Sequence, residues 1–214
     1  MSIINNTPIR CAVCGNVEEY PVVISTHSFG HMDLDTRPPE DMRSFLAYNI
    51  QQCPHCGYTH DTVSEKLHPD VAEWIKLPEY TDKLNDGKTP FLAGTYSLSA
   101  RLYAKSGDLR SAGIQSLRAA WACDDLKSPE KAIQFRKEAL SYLYTYVDQT
   151  QDLHIAVLEV DLLRRTDDFD SAKEFASLLL ELDLEEILRN VLLFELRLID
   201  AKDNKCHSLG EIDD

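Results

Sequence analysis

The chain is short of positive charge. It has 22 lysines and arginines against 36 aspartates and glutamates, so its net charge at pH 7 is −14. A surface of this sign repels the phosphate backbone of nucleic acids. Residues 1–66 share the deficit, since they hold four basic and eight acidic side chains. General nucleic-acid binding is therefore not expected of this chain.

Long apolar runs are missing as well. No stretch approaches the roughly 20 residues that a membrane span needs. The beginning, MSIINNTPIR, has no basic cluster followed by an apolar stretch of about 7 to 15 residues, which a secretory signal would show. Hydrophobic content of 43% and charged content of 27% are typical of a soluble globular protein. We expect a cytoplasmic protein without a membrane segment.

The common catalytic motifs are also absent. No glycine-rich phosphate loop, GxSxG turn or HExxH helix occurs in the sequence. Paired carboxylates, such as Asp124-Asp125 and Glu185-Glu186, are interpreted as charges at helix ends rather than as a catalytic acid and base. No catalytic residue is predicted, and the sequence favours a protein that is not an enzyme without deciding the point.

Two cysteine hooks are the most informative feature that is present: CAVCG at residues 11–15 and CPHCG at residues 53–57. Two cysteines three positions apart can place both sulfurs on one ion across a tight turn. The glycine after each second cysteine permits the left-handed backbone that such a turn needs. The hooks predict a four-thiolate metal site. Its ligands are Cys11, Cys14, Cys53 and Cys56.

Zinc is the expected occupant of this site, as one structural ion. A reducing cytosol disfavours disulfides, and thiolates in a tetrahedral set suit zinc. A rubredoxin-type iron centre is the chief rival, and a redox-active CxxC pair is a weaker one. Four protein ligands leave no position for a catalytic water. Of the two other cysteines, Cys123 is interpreted as a small core residue and Cys206 lies in a polar tail.

The chain divides by pattern into three parts. Residues 1–66 predict a zinc-ribbon-like module with strands at 17–24 and 45–51, and residues 67–202 predict a helical domain. Residues 203–214 form an acidic tail that is predicted to be disordered. The expected fold class is α+β, mainly α, with an antiparallel repeat-like bundle. Apolar periodicity and capping signals place its helices near 69–76, 90–105, 109–124, 129–147, 152–165, 169–182 and 184–200.

One pair of predicted helices is similar to a tetratricopeptide repeat. The matching positions are Tyr96, Ala100, Tyr103, Gly107, Ala112 and Ala119. The usual aromatic near Ser116 and the usual proline near Asp124 are missing. A weaker second copy, RRTDDFDSA at residues 164–172, has Asp167 where the glycine should stand. The pattern indicates a divergent, repeat-like bundle.

The segment between the hooks has no clear period and is rich in His, Asp and Pro. Its side chains suggest a second site, catalytic or metal-binding. The candidates are His27, His31, Asp33, Asp35 and Arg37. In the alternative interpretation the carboxylates cap turns and stay solvated, while Pro38 and Pro39 stiffen the loop.

The last predicted helix has an apolar arc of roughly 200°, which is wide for an end helix. Glu195 lies near the middle of this arc, where an unpaired carboxylate would be costly to bury. Either an arginine of the bundle pairs with Glu195, or residues 184–200 form a face for a partner or for a second copy of the chain.

Two more groups lie on predicted helix faces. Arg118 is near Trp121, and Tyr142 is four residues from Tyr146. Core packing is the favoured interpretation for all four. The alternative is a groove of the kind that stacked helix pairs use to bind peptides.

Four segments together resemble the bacterial family catalogued as domain of unknown function 2225. They are CAVCG, MDLDTRPPEDMR, CPHCGY and RLYAKSGDLRSA, and DTRP at residues 35–38 followed by CPHCGY is the most specific combination. The resemblance covers nearly the whole chain. It implies an N-terminal metal-binding module joined to helices similar to tetratricopeptide repeats, and it implies no particular reaction.

These observations predict a zinc-binding protein that acts as a scaffold for a protein or peptide partner. The first alternative is an enzyme or small-molecule binder that uses the loop Asp33–Asp41 against the helices. A nucleic-acid-binding zinc ribbon is the second alternative, which the acidic composition disfavours.

Overall fold

The N-terminal part of the fold consists of two small antiparallel ribbons. The computed structural model describes residues 2–212 of the chain. Strand β1 (Ile3–Arg10) pairs with β2 (Val17–Ser25), and β3 (Gln51–Gln52) pairs with β4 (Thr59–His60). Each ribbon turns through one cysteine hook.

Helices dominate the remainder of the described chain. In order, they are α1 (Val71–Trp74), α2 (Pro78–Leu84), α3 (Phe91–Ser106), α4 (Leu109–Asp125), α5 (Pro129–Thr150), α6 (Leu153–Arg165), α7 (Phe169–Leu180) and α8 (Glu186–Asp200). Each helix from α3 to α8 packs against the next one, and α6 also contacts α8. The fold is α+β and mainly α, which confirms the predicted class.

Aspartates and left-handed residues set the boundaries of these helices. Asp108, Asp152 and Asp168 accept hydrogen bonds from main-chain N–H groups that have no partner inside α4, α6 and α7. Gly107 at φ +90° ends α3, and Asp167 at φ +66° follows α6. The two similar sequence segments, KSGDLRSA and RTDDFDSA, therefore fold into the same kind of turn.

Three N-terminal elements differ from the expectation. Helix α2 was not expected, and it can begin at Pro78 because the first helical position does not need the N–H group that proline lacks. The strand expected at 45–51 is mostly a 3₁₀ helix, Met42–Tyr48, whose buried Leu46 carbonyl accepts a 2.7 Å hydrogen bond from the Tyr96 hydroxyl. Strand β1 was not expected, since IINNTPIR does not alternate cleanly.

The chain buries two hydrophobic cores. The larger one lies between α3 and α8, and it contains Cys123, which is fully buried as predicted. The smaller core joins the cysteine hooks to α1, α2 and α3. Helix α3 contributes to both, with Tyr96 in the larger core and with Leu98 and Leu102 in the smaller one. This helix fixes the ribbons against the bundle.

Residues 203–212, expected to be disordered, are ordered and packed. The main-chain N–H of Leu34 donates to the carbonyl of His207 at 2.9 Å, and that of Leu209 donates to Met32 at 2.8 Å. A 3₁₀ helix, Leu209–Glu211, follows. Composition alone misled the expectation, because these acidic residues gain main-chain partners from a distant loop. Residues 213 and 214 lie outside the described part.

None of the helices within residues 2–212 combines the length and the apolar character that a membrane span requires.

Glu159 of α6 is fully buried, and neither of its carboxylate oxygens has a hydrogen-bond partner among the described residues. Burial raises its pKa from the ordinary 4.5 to about 8. Because the folded-state pKa is the higher one, the stability from the protonated form is present below about pH 4.5 and is lost as the pH rises through 8.

We therefore expect Glu159→Met to raise the free energy of unfolding by about 1 to 3 kcal/mol near pH 8, and by less near pH 5. Urea unfolding at a series of pH values measures the difference between variant and wild type. Glu174→Met, at an exposed position of α7, is the control and should show little pH-dependent difference. A Glu159→Met effect that stays constant with pH would contradict the burial of an ionisable group.

Candidate metal centre and the charge networks around it

The two cysteine hooks have the same backbone structure. In the first, the N–H of Gly15 donates to the carbonyl of Cys11 at 2.9 Å, and in the second Gly57 donates to Cys53 at 2.8 Å. The glycines have φ values of +79° and +76°, which are strained for residues with a side chain. The predicted reason for glycine after each second cysteine is confirmed. At Gly57 a Cβ would also lie 2.6 Å from Cδ2 of Leu84.

The four hook sulfurs converge in space. All of them lie within 4.8 Å of one another. The Sγ atoms of Cys11 and Cys56 are 3.8 Å apart, and those of Cys14 and Cys53 are 3.6 Å apart. A tetrahedral zinc ion with Zn–S bonds of about 2.3 Å would separate its ligands by about 3.8 Å. The donor set therefore fits one metal ion that both hooks share.

Contacts outside the sulfurs hold the hooks in place. The hydroxyl of Tyr80 on α2 donates to the carbonyl of Gly57 at 2.7 Å, and the N–H of Ala12 donates to the carbonyl of Val63 at 2.8 Å. Nε2 of His55 lies 2.8 Å from a carboxylate oxygen of Glu18, so the middle residue of the second hook contacts β2. These bonds connect the metal centre to both ribbons and to α2.

The donor set is of the kind that closes a metal site. Four thiolate ligands on one ion would complete a tetrahedral shell and leave no position for water or substrate. Cys11 and Cys53 are buried in the smaller core, where a bound ion would fix the hooks against α2. Among residues 2–212, no other group of three or more Cys, His, Asp or Glu has metal-binding spacing.

The Asp-rich loop, residues 26–41, separates its five candidate residues into two sets. His27 and His31 are exposed, whereas Asp33, Asp35 and Arg37 are buried. The two histidines do not join the aspartates in a metal-binding group within the described chain. Asp35 and Arg37 bind side chains of the helices instead, while Asp33 binds Arg43 and Cys206.

Asp35 lies where the loop meets the bundle. It accepts hydrogen bonds from Nε1 of Trp121 at 2.9 Å and from the guanidinium of Arg165 at 3.0 Å, and Arg136 lies at 3.7 Å. Arg37 donates to both carboxylate oxygens of Asp125, at 2.8 and 2.7 Å. Ion pairs therefore attach the loop to α4, α5 and α6.

We call the complete set of these charges the loop network. Its members are Asp33, Asp35, Arg37, Arg43, Asp124, Asp125, Arg136 and Arg165. Four guanidinium groups balance four carboxylates, which allows Asp35, Arg37 and Arg136 to be buried, whereas Asp125 stays half exposed. Asp124 and Asp125, interpreted from the sequence as helix-end charges, are ion-pair partners for arginines here. A base or metal ligand would need a free carboxylate, which Asp33 and Asp35 do not offer.

Arg164 is the centre of a second network, the tail network, beside the first. Its Nε donates to Glu195 at 2.6 Å, and its NH2 group donates to Asp161 at 2.6 Å. Its NH1 group donates to the carbonyls of Asp203 at 2.7 Å and Lys205 at 2.9 Å. Glu195 is therefore the buried partner of an arginine, one of the two predicted roles. Most of the apolar arc of α8 is likewise buried.

Two carboxylates share one guanidinium in the tail network, and their pKa values follow from that count. Burial raises the pKa of Glu195 to about 8, and the neighbouring charge of Asp161 contributes. Burial also raises the pKa of Asp161, although Arg164 opposes the shift. With one proton on the two carboxylates, the pair keeps one negative charge, which balances the positive charge of Arg164.

Of the five arginines in the two networks, only Arg37 was a candidate from the sequence. Arg164 and Arg165 were noticed only as part of a weak repeat, and Arg136 was not noticed. One local signal existed, since Asp161 and Arg164 are three residues apart on one helix face. The other partners are distant in sequence: 130 residues separate Asp35 from Arg165.

Comparison with known proteins gives one match. A family model described as "Uncharacterized protein conserved in bacteria (DUF2225)" matches residues 4–191. This range includes both hooks, the Asp-rich loop and the helices up to the first part of α8. Searches of curated proteins and of solved structures found no match.

Proposed function

We propose a function for this chain from its own geometry, because the bacterial family to which it belongs, catalogued as domain of unknown function 2225, is described as uncharacterized and supplies no function. The resemblance seen in the sequence is thereby confirmed. In our proposal the protein is a binding scaffold, stabilised by a structural zinc ion, that holds an extended peptide segment of a protein partner.

The observation that carries the proposal is a cleft of about 520 Å³ between the ribbons and the bundle. This volume lies in the range of roughly 300 to 1,000 Å³ that is usual for ligand sites. Apolar side chains from the ribbons and from the 3₁₀ helix form one part of its wall. They are Ile9, Val22, Val23 and Tyr48.

Polar groups form the other part of the wall. Asn49, Asp61 and Thr62 lie along the cleft, and Arg118 reaches it from α4. Side-chain amides and hydroxyls can bind the N–H and C=O groups of an extended main chain. A wall with one apolar and one polar part suits an extended peptide, since neighbouring side chains of an extended strand point to opposite sides.

Arg118 supplies the charge specificity. Within residues 2–212 it has no carboxylate at ion-pair distance, and its one hydrogen bond, to Gln115, is long at 3.5 Å. A half-buried guanidinium with free donors is suited to a carboxylate, which it can bind through two parallel hydrogen bonds. The proposed partner segment therefore carries apolar side chains and one Asp or Glu.

The metal centre has an indirect role in this proposal. Hook residues connect β1 to β2 and β3 to β4, and the cleft takes wall residues from β1, β2 and the segments beside β3 and β4. A zinc ion at the four sulfurs would hold these walls at a fixed separation. Binding of the peptide should thus depend on the metal, although the metal does not touch the peptide.

A displayed library of random peptides, selected on the metal-loaded protein, tests the proposal. We expect enriched sequences with one acidic residue, and isothermal titration of a synthetic winner should show at least tenfold weaker binding to Arg118→Ala. Arg110→Ala is the matched control, because Arg110 is an exposed arginine two turns away on the same helix. Equal binding to wild type and Arg118→Ala, or a library without enrichment, would contradict the proposal.

The loop-based alternative has less support. A catalytic or metabolite site in the Asp-rich loop requires free carboxylates and nearby histidines, whereas Asp33 and Asp35 are paired with arginines and the histidines are exposed. Binding of nucleic acid through the ribbon is disfavoured by the net charge of −14.

A further inference from the structure

A second and smaller cavity, of about 250 Å³, lies where α1, α2, α3 and α5 meet. It is separate from the cleft of the proposed function and from both charge networks. Its apolar lining comes from Trp74, Tyr80, Leu102 and Tyr142. A water molecule occupies about 30 Å³ in the liquid, so the cavity has the volume of about eight water molecules.

Two cations from α3 face the same cavity. Arg101 and Lys105 are four residues apart, which places them on one face of the helix. Each is only loosely paired. Arg101 has Glu138 at 3.7 Å, and its buried Nε has no hydrogen-bond partner among residues 2–212. Lys105 is 3.2 Å from Glu79, whose side chain is 60% exposed.

These loose pairs can be exchanged at little cost. The pair of Lys105 and Glu79 is exposed and contributes little to stability, because water solvates both partners well. Glu138 is only 18% exposed, but at 3.7 Å it lies beyond hydrogen-bond distance of Arg101. A carboxylate inside the cavity would meet the same cations in a drier setting, where the attraction is stronger. The planar guanidinium of Arg101 can also give such a ligand two parallel hydrogen bonds. The two cations would thus bind a ligand carboxylate inside the cavity more strongly than they now bind Glu79 and Glu138.

Aromatic rings define the rest of the ligand. The ring of His68 stacks on Trp74, with centroids 4.5 Å apart and planes 18° from parallel, so the indole has a fixed orientation. Nζ of Lys105 lies 5.9 Å from the centroid of that indole. A flat apolar body between Trp74 and Tyr142 would therefore place an attached carboxylate close to Lys105 and Arg101.

We infer that this cavity binds a small aromatic carboxylate, with the ring against Trp74 and Tyr142 and the carboxylate on Arg101 and Lys105. Such a group occurs in free aromatic acids and also as the C-terminal aromatic residue of a peptide. Glu79 also lines the cavity, so its exposed carboxylate must leave Lys105 when the ligand carboxylate binds there. Salt screens the more distant acidic charges of the chain beyond about 8 Å at physiological ionic strength.

Isothermal titration of the metal-loaded full chain with phenylacetate tests the inference. For a ligand of this size we expect a Kd of about 0.1 to 1 mM. The neutral phenylacetamide and the ring-free acetate should each bind at least tenfold more weakly. Arg101→Gln/Lys105→Gln and Lys105→Glu should weaken phenylacetate binding at least tenfold. Lys173→Gln, which removes an exposed lysine of α7, is the control and should leave it unchanged.

Two further measurements complete the test. Thermal unfolding of the variants must match wild type within a few degrees, which is expected because the side chains of Arg101 and Lys105 are 38% and 39% exposed. N-Acetylglycyl-phenylalanine distinguishes the sources: tighter binding than phenylacetate supports a peptide end, and weaker binding supports a free acid. Absent phenylacetate binding at roughly 10 mM, equal binding of phenylacetamide, or full binding by the folded double variant would overturn the inference.

Discussion

Cys53→Ser/Cys56→Ser is expected to abolish metal binding and to unfold the ribbon region of the protein. The change removes one complete hook, so that two thiolates are left where a tetrahedral ion needs four ligands. Metal binding contributes folding free energy directly, because the unfolded chain has no formed site. Cys53 is also only 1% exposed in the smaller core, so its substitution places a polar hydroxyl there in place of the sulfur.

Three measurements report the expected loss. Metal analysis should fall from one ion per chain to none, and thermal unfolding should begin at least 10 °C lower, at about 2 to 4 °C per kcal/mol for a chain of this size. Hydrogen exchange should become fast in β1 to β4 and stay slow in α5 to α8, because most of the larger core comes from the helices of the bundle and neither hook contributes to it.

Cys206→Ser is the matched control for the hook variant. It replaces a cysteine outside both hooks, and its Sγ donates to a carboxylate oxygen of Asp33 at 3.1 Å, a bond that serine can also make. Metal content should remain that of wild type. If the hook variant also kept one tightly bound ion and slow exchange in β3 and β4, the four-thiolate assignment would be wrong.

Arg164→Met is expected to lower the free energy of unfolding by about 3 to 5 kcal/mol. Methionine fills most of the space of the arginine stem, but it leaves Asp161 and Glu195 buried without a cation. It also leaves the carbonyls of Asp203 and Lys205 without their donor. The loss should grow as the pH rises through about 8, since the pKa of Glu195 lies there and deprotonation adds a second unpaired charge.

Urea unfolding measures this effect, and hydrogen exchange locates it. Fast exchange should appear first in residues 203–212. The triple variant Arg164→Met/Asp161→Leu/Glu195→Leu removes all three charges, and we expect it to recover most of the lost stability. Arg197→Met, at an exposed position of α8, is the control and should change stability by less than about 0.5 kcal/mol. A triple variant as unstable as the single one would show that the charges are not the cause.

The sequence predicted those features whose causes are local. Two cysteines and a following glycine specify each hook regardless of the surrounding fold, and the structure shows both turns with the expected left-handed glycines. Helices α3 to α8 were predicted within a few residues, because apolar periodicity and aspartate caps lie inside or next to each helix. The similar segments around Gly107 and Asp167 predicted two similar turns, although the second segment has no glycine at this position.

The features that were missed depend on partners distant in the chain. The 3₁₀ helix at 42–48 is fixed by Tyr96, which is 50 residues from Leu46. Residues 203–212 look like a solvated acidic tail until Arg164 and the main chain of the loop are placed beside them. From the sequence alone, Asp35 could be interpreted as a catalytic carboxylate. The structure shows that Trp121 and Arg165 donate hydrogen bonds to it. Composition does not contain such pairings.

The pairing of the Asp-rich loop with residues 203–212 has a consequence for synthesis on the ribosome. The loop emerges early, whereas the residues that pair with Leu34 and Met32 are translated 173 and 177 residues later. A nascent chain folds its N-terminal parts first, so the four hook cysteines can come together before residues 203–212 reach the loop. Every member of the loop network has been translated by residue 165, and that network can form without the last residues. The tail network is different, because Arg164 needs the carbonyls of Asp203 and Lys205, so it is the last part of the fold to be completed.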